Sequence, residues 1–118
     1  MSPVTPDTRT IIVARTGERG FTQVCEGIRR KTLVYGKNTL ITEFLLEKGS
    51  RLPAHHHPEE QPGYLVSGRI IFHIGDEDFP AGPHDCWTIP GGTEHRAEIL
   101  ENSVAVEVFS PVREDYLP

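Results

Sequence analysis

Turn-forming residues break this chain at intervals of roughly 8–12 residues, which leaves room only for short extended segments. Its 118 residues include 11 glycines and 10 prolines, spread along the whole length. No stretch sustains a 3.6-residue apolar period, apart from one helical turn's worth of pattern within Arg113–Leu117. The rhythm predicts an all-β fold, a sandwich or barrel. It is expected as one domain over residues 1–118, with residues 1–9 as a loose arm.

The segments between the breaks read as strands. Thr10–Ala14 is β-branched and short, and Phe21–Cys25 alternates apolar with polar. Thr32–Tyr35, Leu40–Leu46, Cys86–Ile89, His95–Leu100 and Val104–Phe109 are further β-rich runs. Tyr64–Val66 and Arg69–Ile74, separated by Ser67-Gly68, carry the signal of a β-hairpin. Gly75-Asp76 predicts a second turn, into Glu77–Phe79.

Composition removes several classes of function. The net charge is −5 and the longest basic run is Arg29-Arg30-Lys31, so the chain lacks the electrostatic footprint of a nucleic-acid or anionic-membrane binder. That basic run reads as a solvated face. No apolar run reaches the length of a signal core or a membrane span, so a cytoplasmic protein is expected. Cys25 and Cys86 are the only cysteines, and they read as reduced thiols packed like small apolar groups.

The chemistry concentrates in Gly49–Gly68, which holds three consecutive histidines. Residues i and i+2 of an extended strand share a face, so His55 and His57 can converge on one ion while His56 points away. Gln61 lies beyond the break at Pro58, where a resuming strand returns to that face; Glu59 and Glu60 compete with it. A further ligand must come from another strand. His95 follows the turn Pro90–Glu94 and is the candidate. Three imidazoles and one oxygen suit a single divalent transition metal, whether Mn, Fe, Ni, Zn or Co.

The spacing Gly49-x5-His55-x-His57-x3-Gln61-x6-Gly68 resembles the first motif of the cupin family, with Gln61 at the glutamate position. Pro90-x-Gly92-x2-His95 resembles the second, although His84 stands where that motif has its first glycine and Ile99 where it has asparagine. The resemblance implies an antiparallel double-sheet jelly-roll β-barrel, with a metal in its mouth held by His55, His57, Gln61 and His95. A glutamine in place of the anionic glutamate leaves a divalent site at +2 instead of +1, which weakens metal binding and strengthens the ion as a Lewis acid. Small cupins commonly pair through N-terminal strands, so the resemblance also implies a homodimer, with Thr10–Ala14 as a suitable edge.

The segment Glu107–Tyr116 resembles the D-x-F-S-P-P-R-E-D-[FY] ending of cupins of the KdgF type, with Glu107 in place of the aspartate. That resemblance implies a metal-dependent enzyme acting on a small sugar acid, opening the ring of 4,5-unsaturated monouronates. Glu107 and Arg113 would be catalytic, with Phe109 and Arg113 binding substrate. Alternation along Val104–Phe109 places Ala105, Glu107 and Phe109 on one face. An acidic residue on an inward face is hard to explain by structure alone. Arg113 has a structural alternative as partner of Glu114 or another surface carboxylate. Two other functions share the fold and ligand set: a cupin dioxygenase or related oxidoreductase, and a metal-containing binding module without turnover. Among lesser residues, Trp87 and Ile89 read as core, Tyr64 as core or interface with the mouth as its alternative, and His73 as either cavity-lining or solvated; one of Arg29, Arg30 and Lys31 reaching an acidic sugar is the lesser alternative to a solvated face.

Overall fold

The computed structural model describes residues 11–15, 17 and 19–118. Among them run ten strands: β1 Thr22–Cys25, β2 Ile28–Tyr35, β3 Leu40–Leu46, β4 Arg51–His55, β5 Gln61–Ser67, β6 Ile70–Ile74, β7 Glu77–Ala81, β8 Cys86–Ile89, β9 His95–Ile99 and β10 Ser103–Phe109. A single 3₁₀ turn, Glu114–Tyr116, follows. No helix among the described residues is long and apolar enough to cross a membrane. The all-β expectation holds, as does the helical turn near the end.

All strand pairings are antiparallel. They form a six-stranded sheet, ordered β1-β2-β3-β10-β5-β8, and a four-stranded sheet, ordered β4-β9-β6-β7. The two sheets enclose the core between them in jelly-roll fashion. Alternation drives this. In β3, Leu40, Thr42, Phe44 and Leu46 are buried while the residues between them are half-exposed. In β10, Ser103, Ala105, Glu107 and Phe109 take the same inward face. Full register between the two strands sets Thr42 opposite Glu107 and Leu40 opposite Phe109. From the other sheet, Ile70, Phe72, Ala97 and Ile99 complete the apolar packing.

The expected hairpin at Ser67-Gly68 is overturned. β5 pairs with β10 and β8, whereas β6 pairs with β7 and β9 in the other sheet. Gly68 is a corner where the chain changes sheets. Its φ is +95°, and a Cβ there would collide with Ser103 Oγ and come within 2.6 Å of the Asn102 carbonyl. The hairpin lies one turn later, at Gly75-Asp76, joining β6 to β7.

Three further expectations change. Thr10 lies outside the described residues, and Ile11–Ala14 form no strand, with Ile11 and Val13 exposed. β-branched residues favour a strand only where a neighbouring strand accepts them, and no strand pairs with this segment among the described residues. The basic run is not uniformly solvated: it lies within β2, where Arg29 is exposed but Lys31 is 6% exposed and donates from Nζ to Gly17 O at 3.1 Å. Cys25 is half-buried as expected, while Cys86 is exposed.

His84 explains one departure from the family motif. Among the described residues it is the one non-glycine residue with positive φ, at 72°. A glycine takes that conformation without penalty, and histidine tolerates it better than most residues. Its ring nitrogen Nδ1 accepts from the exposed Tyr64 hydroxyl at 2.5 Å. Tyr64 is therefore a surface residue on the outer face, not core.

Candidate functional site

The four-stranded sheet brings two of the histidines together. β4 ends at His55, β9 begins at His95, and the two stand directly opposite across the β4–β9 ladder. His57 lies just past the end of β4. The Pro90–Thr93 turn fixes its loop, because Gly92 N–H donates to His57 O at 2.7 Å. Gly91 packs so closely on Pro58 O that no side chain would fit there. The three ring centroids lie 4.2–5.7 Å apart, and one nitrogen of each ring falls within 4.8 Å of the others. His57 and His95 are buried, and His56 is exposed on the far side as expected.

Backbone carbonyls set the tautomer of each ring. His55 Nδ1 donates to Pro53 O at 2.9 Å, His95 Nδ1 to Thr93 O at 2.9 Å, and His57 Nδ1 to Glu59 O at 3.0 Å. A carbonyl only accepts, so in each neutral ring the proton sits on Nδ1 and Nε2 is left as a bare lone pair. His95 Nε2 is buried with no hydrogen-bond partner. His57 Nε2 faces Gln61 Oε1 at 2.7 Å. Two acceptors held at that distance repel unless a proton or a cation lies between them.

Burial holds His95 down to about 4 and lowers His55 as well, with the neighbouring histidines and Arg113 contributing in the same direction. Neutral imidazoles with inward lone pairs are what a borderline transition ion requires. His55, His57 and His95 fit such an ion.

Gln61, first residue of β5, is 4% exposed and stands beside this cluster. Its rivals are elsewhere. Glu59 approaches His57 from behind, its Oε1 3.7 Å from Nδ1, and Glu60 is exposed, with its backbone bridged to Ser110. The His57 ring is oriented by the Glu59 backbone carbonyl, which accepts from Nδ1.

The cluster opens into a cavity of about 260 Å³, whose walls include His55, Gln61, Glu107, Phe109, Arg113 and Tyr116. Glu107 is 7% exposed, and its Oε2 has no hydrogen-bond partner. Burial pushes its carboxyl up to about 8, against the pull of hydrogen bonding from Gln61 and the charge of Arg113. Phe109 is fully buried and meets the His57 ring edge-on, at 5.6 Å between centroids. Arg113 is held in place: Nε pairs with Asp115 Oδ1 at 3.1 Å, Nη1 donates to the Tyr116 hydroxyl at 3.0 Å, and the guanidinium lies 4.1 Å from the Tyr116 ring centroid. The structure thus brings His55, His57, Gln61, His95, Glu107, Phe109 and Arg113 into one neighbourhood and leaves Glu59 and Glu60 outside it. The carboxylate partner of Arg113 is Asp115, not Glu114.

Two residues of this cavity are not singled out by the sequence. Tyr116 sits in the 3₁₀ turn, where burial pushes its hydroxyl up to about 12. Arg30 was grouped with a solvated run. Its pairing with Phe44 across β2–β3 shows that it faces inward, and period-two alternation from Ile28 would have found it.

A two-sheet jelly roll with, at its mouth, a histidine cluster that could hold a metal defines a β-barrel of the cupin class. The chain belongs to the cupin family: the family model for a cupin domain matches residues 42–110. Among solved structures, KdgF from Halomonas sp. is 28% identical, with a TM-score of 0.81, covering 88% of this chain and 98% of that one. An RmlC-like cupin from Shewanella frigidimarina is 22% identical, with a TM-score of 0.80, covering 88% and 95%. A predicted oxalate decarboxylase from Thermotoga maritima is 20% identical, with a TM-score of 0.71, covering 84% and 98%. The latter two show the shared fold. A comparison with curated proteins found no match.

Proposed function

We propose that this cupin is a metal-dependent enzyme acting on a small sugar acid, and that it opens the ring of a 4,5-unsaturated monouronate. The observation that carries this reading is a buried carboxyl, Glu107, sharing one small cavity with Arg113, Gln61 and His55 of the histidine cluster. The cavity falls below the roughly 300–1,000 Å³ of sites for drug-sized ligands, which favours a single sugar ring over a polymer. The KdgF-type ending and the 28% identity to KdgF from Halomonas sp. support the same choice.

A divalent ion held by His55, His57, His95 and Gln61 would supply Lewis acidity toward a ring or hydroxyl oxygen. The chain's own residues do the rest. Arg113 receives the uronate carboxylate on the guanidinium edge that Asp115 and Tyr116 leave open. Phe109 walls the cavity and keeps water from the ring. The reaction is an isomerisation, so its atoms balance without a co-reactant. The C1–O5 bond breaks as the anomeric hydroxyl loses its proton, giving an aldehyde and a C5 enolate. That enolate takes a proton at C4 and becomes a ketone. Glu107, kept in its acid form by burial, delivers the proton to C4 and recovers one from the anomeric hydroxyl.

The test is elemental analysis of the purified protein, followed by assay on an unsaturated monouronate with and without oxygen. Absorbance of the C=C bond should fall at equal rates in both atmospheres. Glu107→Ala should lower kcat by about a hundredfold or more with metal content unchanged. Full activity of that variant would remove Glu107 from the proton path. Consumption of oxygen would replace this reading with an oxygenase, and ligand-induced stabilisation without product would replace it with a binding module.

A further inference from the structure

The cavity contains a second arginine, and its surroundings differ from those of Arg113. Arg113 is already neutralised, with Nε on the Asp115 carboxylate and a second nitrogen on the Tyr116 hydroxyl. Arg30 enters the same cavity from β2, on the inward face beside Phe44. Its guanidinium carbon also lies 4.1 Å from the Tyr116 ring centroid, so both arginines stack on one aromatic side chain. Arg30 is half-buried, and the only hydrogen bond of its side chain among the described residues is a 3.4 Å contact from Nη2 to the Asp115 carbonyl. No carboxylate pairs with it among those residues.

A half-buried guanidinium without a carboxylate is costly unless something anionic completes it. Stacking on Tyr116 holds the planar fork in one orientation, which lowers the entropy lost when it binds a planar anion. Glu107, the carboxyl in the same cavity, makes no ion pair with Arg30.

We infer that Arg30 is the specificity-determining cation of the site, the residue that makes the cavity select a carboxylate-bearing sugar over its neutral counterpart. Arg113 then shares the carboxylate with Arg30 and orients the ligand against Phe109 and the histidine cluster. This inference rests on the acidic-sugar reading above and deepens it. Arg30 touches the substrate carboxylate but no atom that changes its bonding. It therefore acts on binding and leaves the chemical step alone.

The experiment uses the metal-loaded protein and two probes of the same ring, galacturonate and galactose, which differ at C6 by carboxylate against hydroxymethyl and neither of which carries the reactive double bond. Calorimetric titration should show the wild-type protein preferring galacturonate by about tenfold or more, as expected for a charge-assisted bidentate contact. Arg30→Gln should cut that preference to about twofold or less while galactose binding and metal content stay unchanged, and Arg30→Lys should keep part of it. Arg29→Gln, at an exposed neighbour, should behave as wild type. On an unsaturated monouronate, Arg30→Gln should raise KM by about tenfold with kcat within about twofold. A wild-type preference that survives intact in Arg30→Gln overturns this inference alone. Equal binding of the two probes by the wild-type protein overturns the acidic-sugar reading and this inference together.

Discussion

His95 and His73 belong to adjacent strands of the same four-stranded sheet, β9 and β6, and they live in opposite worlds. His95 faces inward. It is 1% exposed, one nitrogen is tied to a backbone carbonyl, and the other has no partner. His73 faces outward, with both nitrogens occupied: Nδ1 meets Asp78 Oδ1 at 2.5 Å and Nε2 meets Glu98 Oε2 at 3.1 Å. Burial lowers the first to about 4, while hydrogen bonds to Asp78 and then Glu98 raise the second. The outer ring is one rung of a ladder of alternating charge across the sheet, continuing from Glu98 Oε1 to Arg51 Nε at 4.0 Å. The difference teaches that a histidine becomes a metal-ligand candidate when its second nitrogen is left bare inside the fold. A carboxylate on each nitrogen turns it into a structural cation instead.

The sharpest way to break this comparison is to remove one member of each kind. His95→Ala or His55→Ala should reduce bound metal to about a tenth of wild type or less, and activity with it, since two imidazoles hold a transition ion far more weakly than three. His73→Gln and His56→Ala should leave metal content unchanged. Elemental analysis after dialysis checks this. Full occupancy in His95→Ala would mean that the inward cluster is not the site.

Gln61→Glu sharpens the inner half. A carboxylate there lowers the net charge of a divalent site from +2 to +1, so metal should bind tighter by roughly tenfold or more. The new carboxylate also stands beside the buried Glu107, whose proton it would hold more firmly by like-charge repulsion. Turnover should therefore fall although metal is better retained. A variant that gained both affinity and rate would show that the glutamine carries no advantage for the chemistry.

Much of this site was legible in the sequence because it depends on local geometry. Period-two alternation placed Glu107 with Phe109 and separated His55 and His57 from His56, and antiparallel pairing after the Pro90–Glu94 turn placed His95. The features that were not legible depend on which distant segment covers which strand. Ser67-Gly68 carries the same turn chemistry whether the next strand pairs with the last or crosses to the other sheet. Only the close approach of Gly68 to Asn102 and Ser103, some 35 residues later, distinguishes the two. Arg30 looked solvated within a basic run because its cover comes from Tyr116, at the far end of the chain. Lys31 looked solvated because its cover comes from Gly17 and Gly20.

The outer half of the comparison is tested by pH. His73 is raised in the folded protein, so its contacts with Asp78 and Glu98 stabilise the fold fully below the ring's ordinary value of 6.5. That contribution is lost as pH rises through the raised value, while Arg96 on β9 works against it. The melting-temperature difference between metal-free wild type and metal-free His73→Gln should be largest near pH 5–6 and shrink toward pH 9. A difference that stayed flat across that range would mean that the ring is not charged in the ladder.

His84 is a third kind, and it gives the smallest effect. It neither faces the cavity nor joins the ladder; its ring accepts from the Tyr64 hydroxyl while its backbone sits at φ 72°. His84→Gly relieves a left-handed conformation worth about 1 kcal/mol but loses that hydrogen bond and frees the unfolded chain, each also worth about 1 kcal/mol or less. The two sides nearly cancel, so its melting temperature should stay close to wild type. In a Tyr64→Phe background there is no hydroxyl to lose, and the same substitution should be more favourable by the worth of that bond. Equal effects in both backgrounds would show that the Tyr64 contact contributes nothing and that His84 holds its place by backbone tolerance alone.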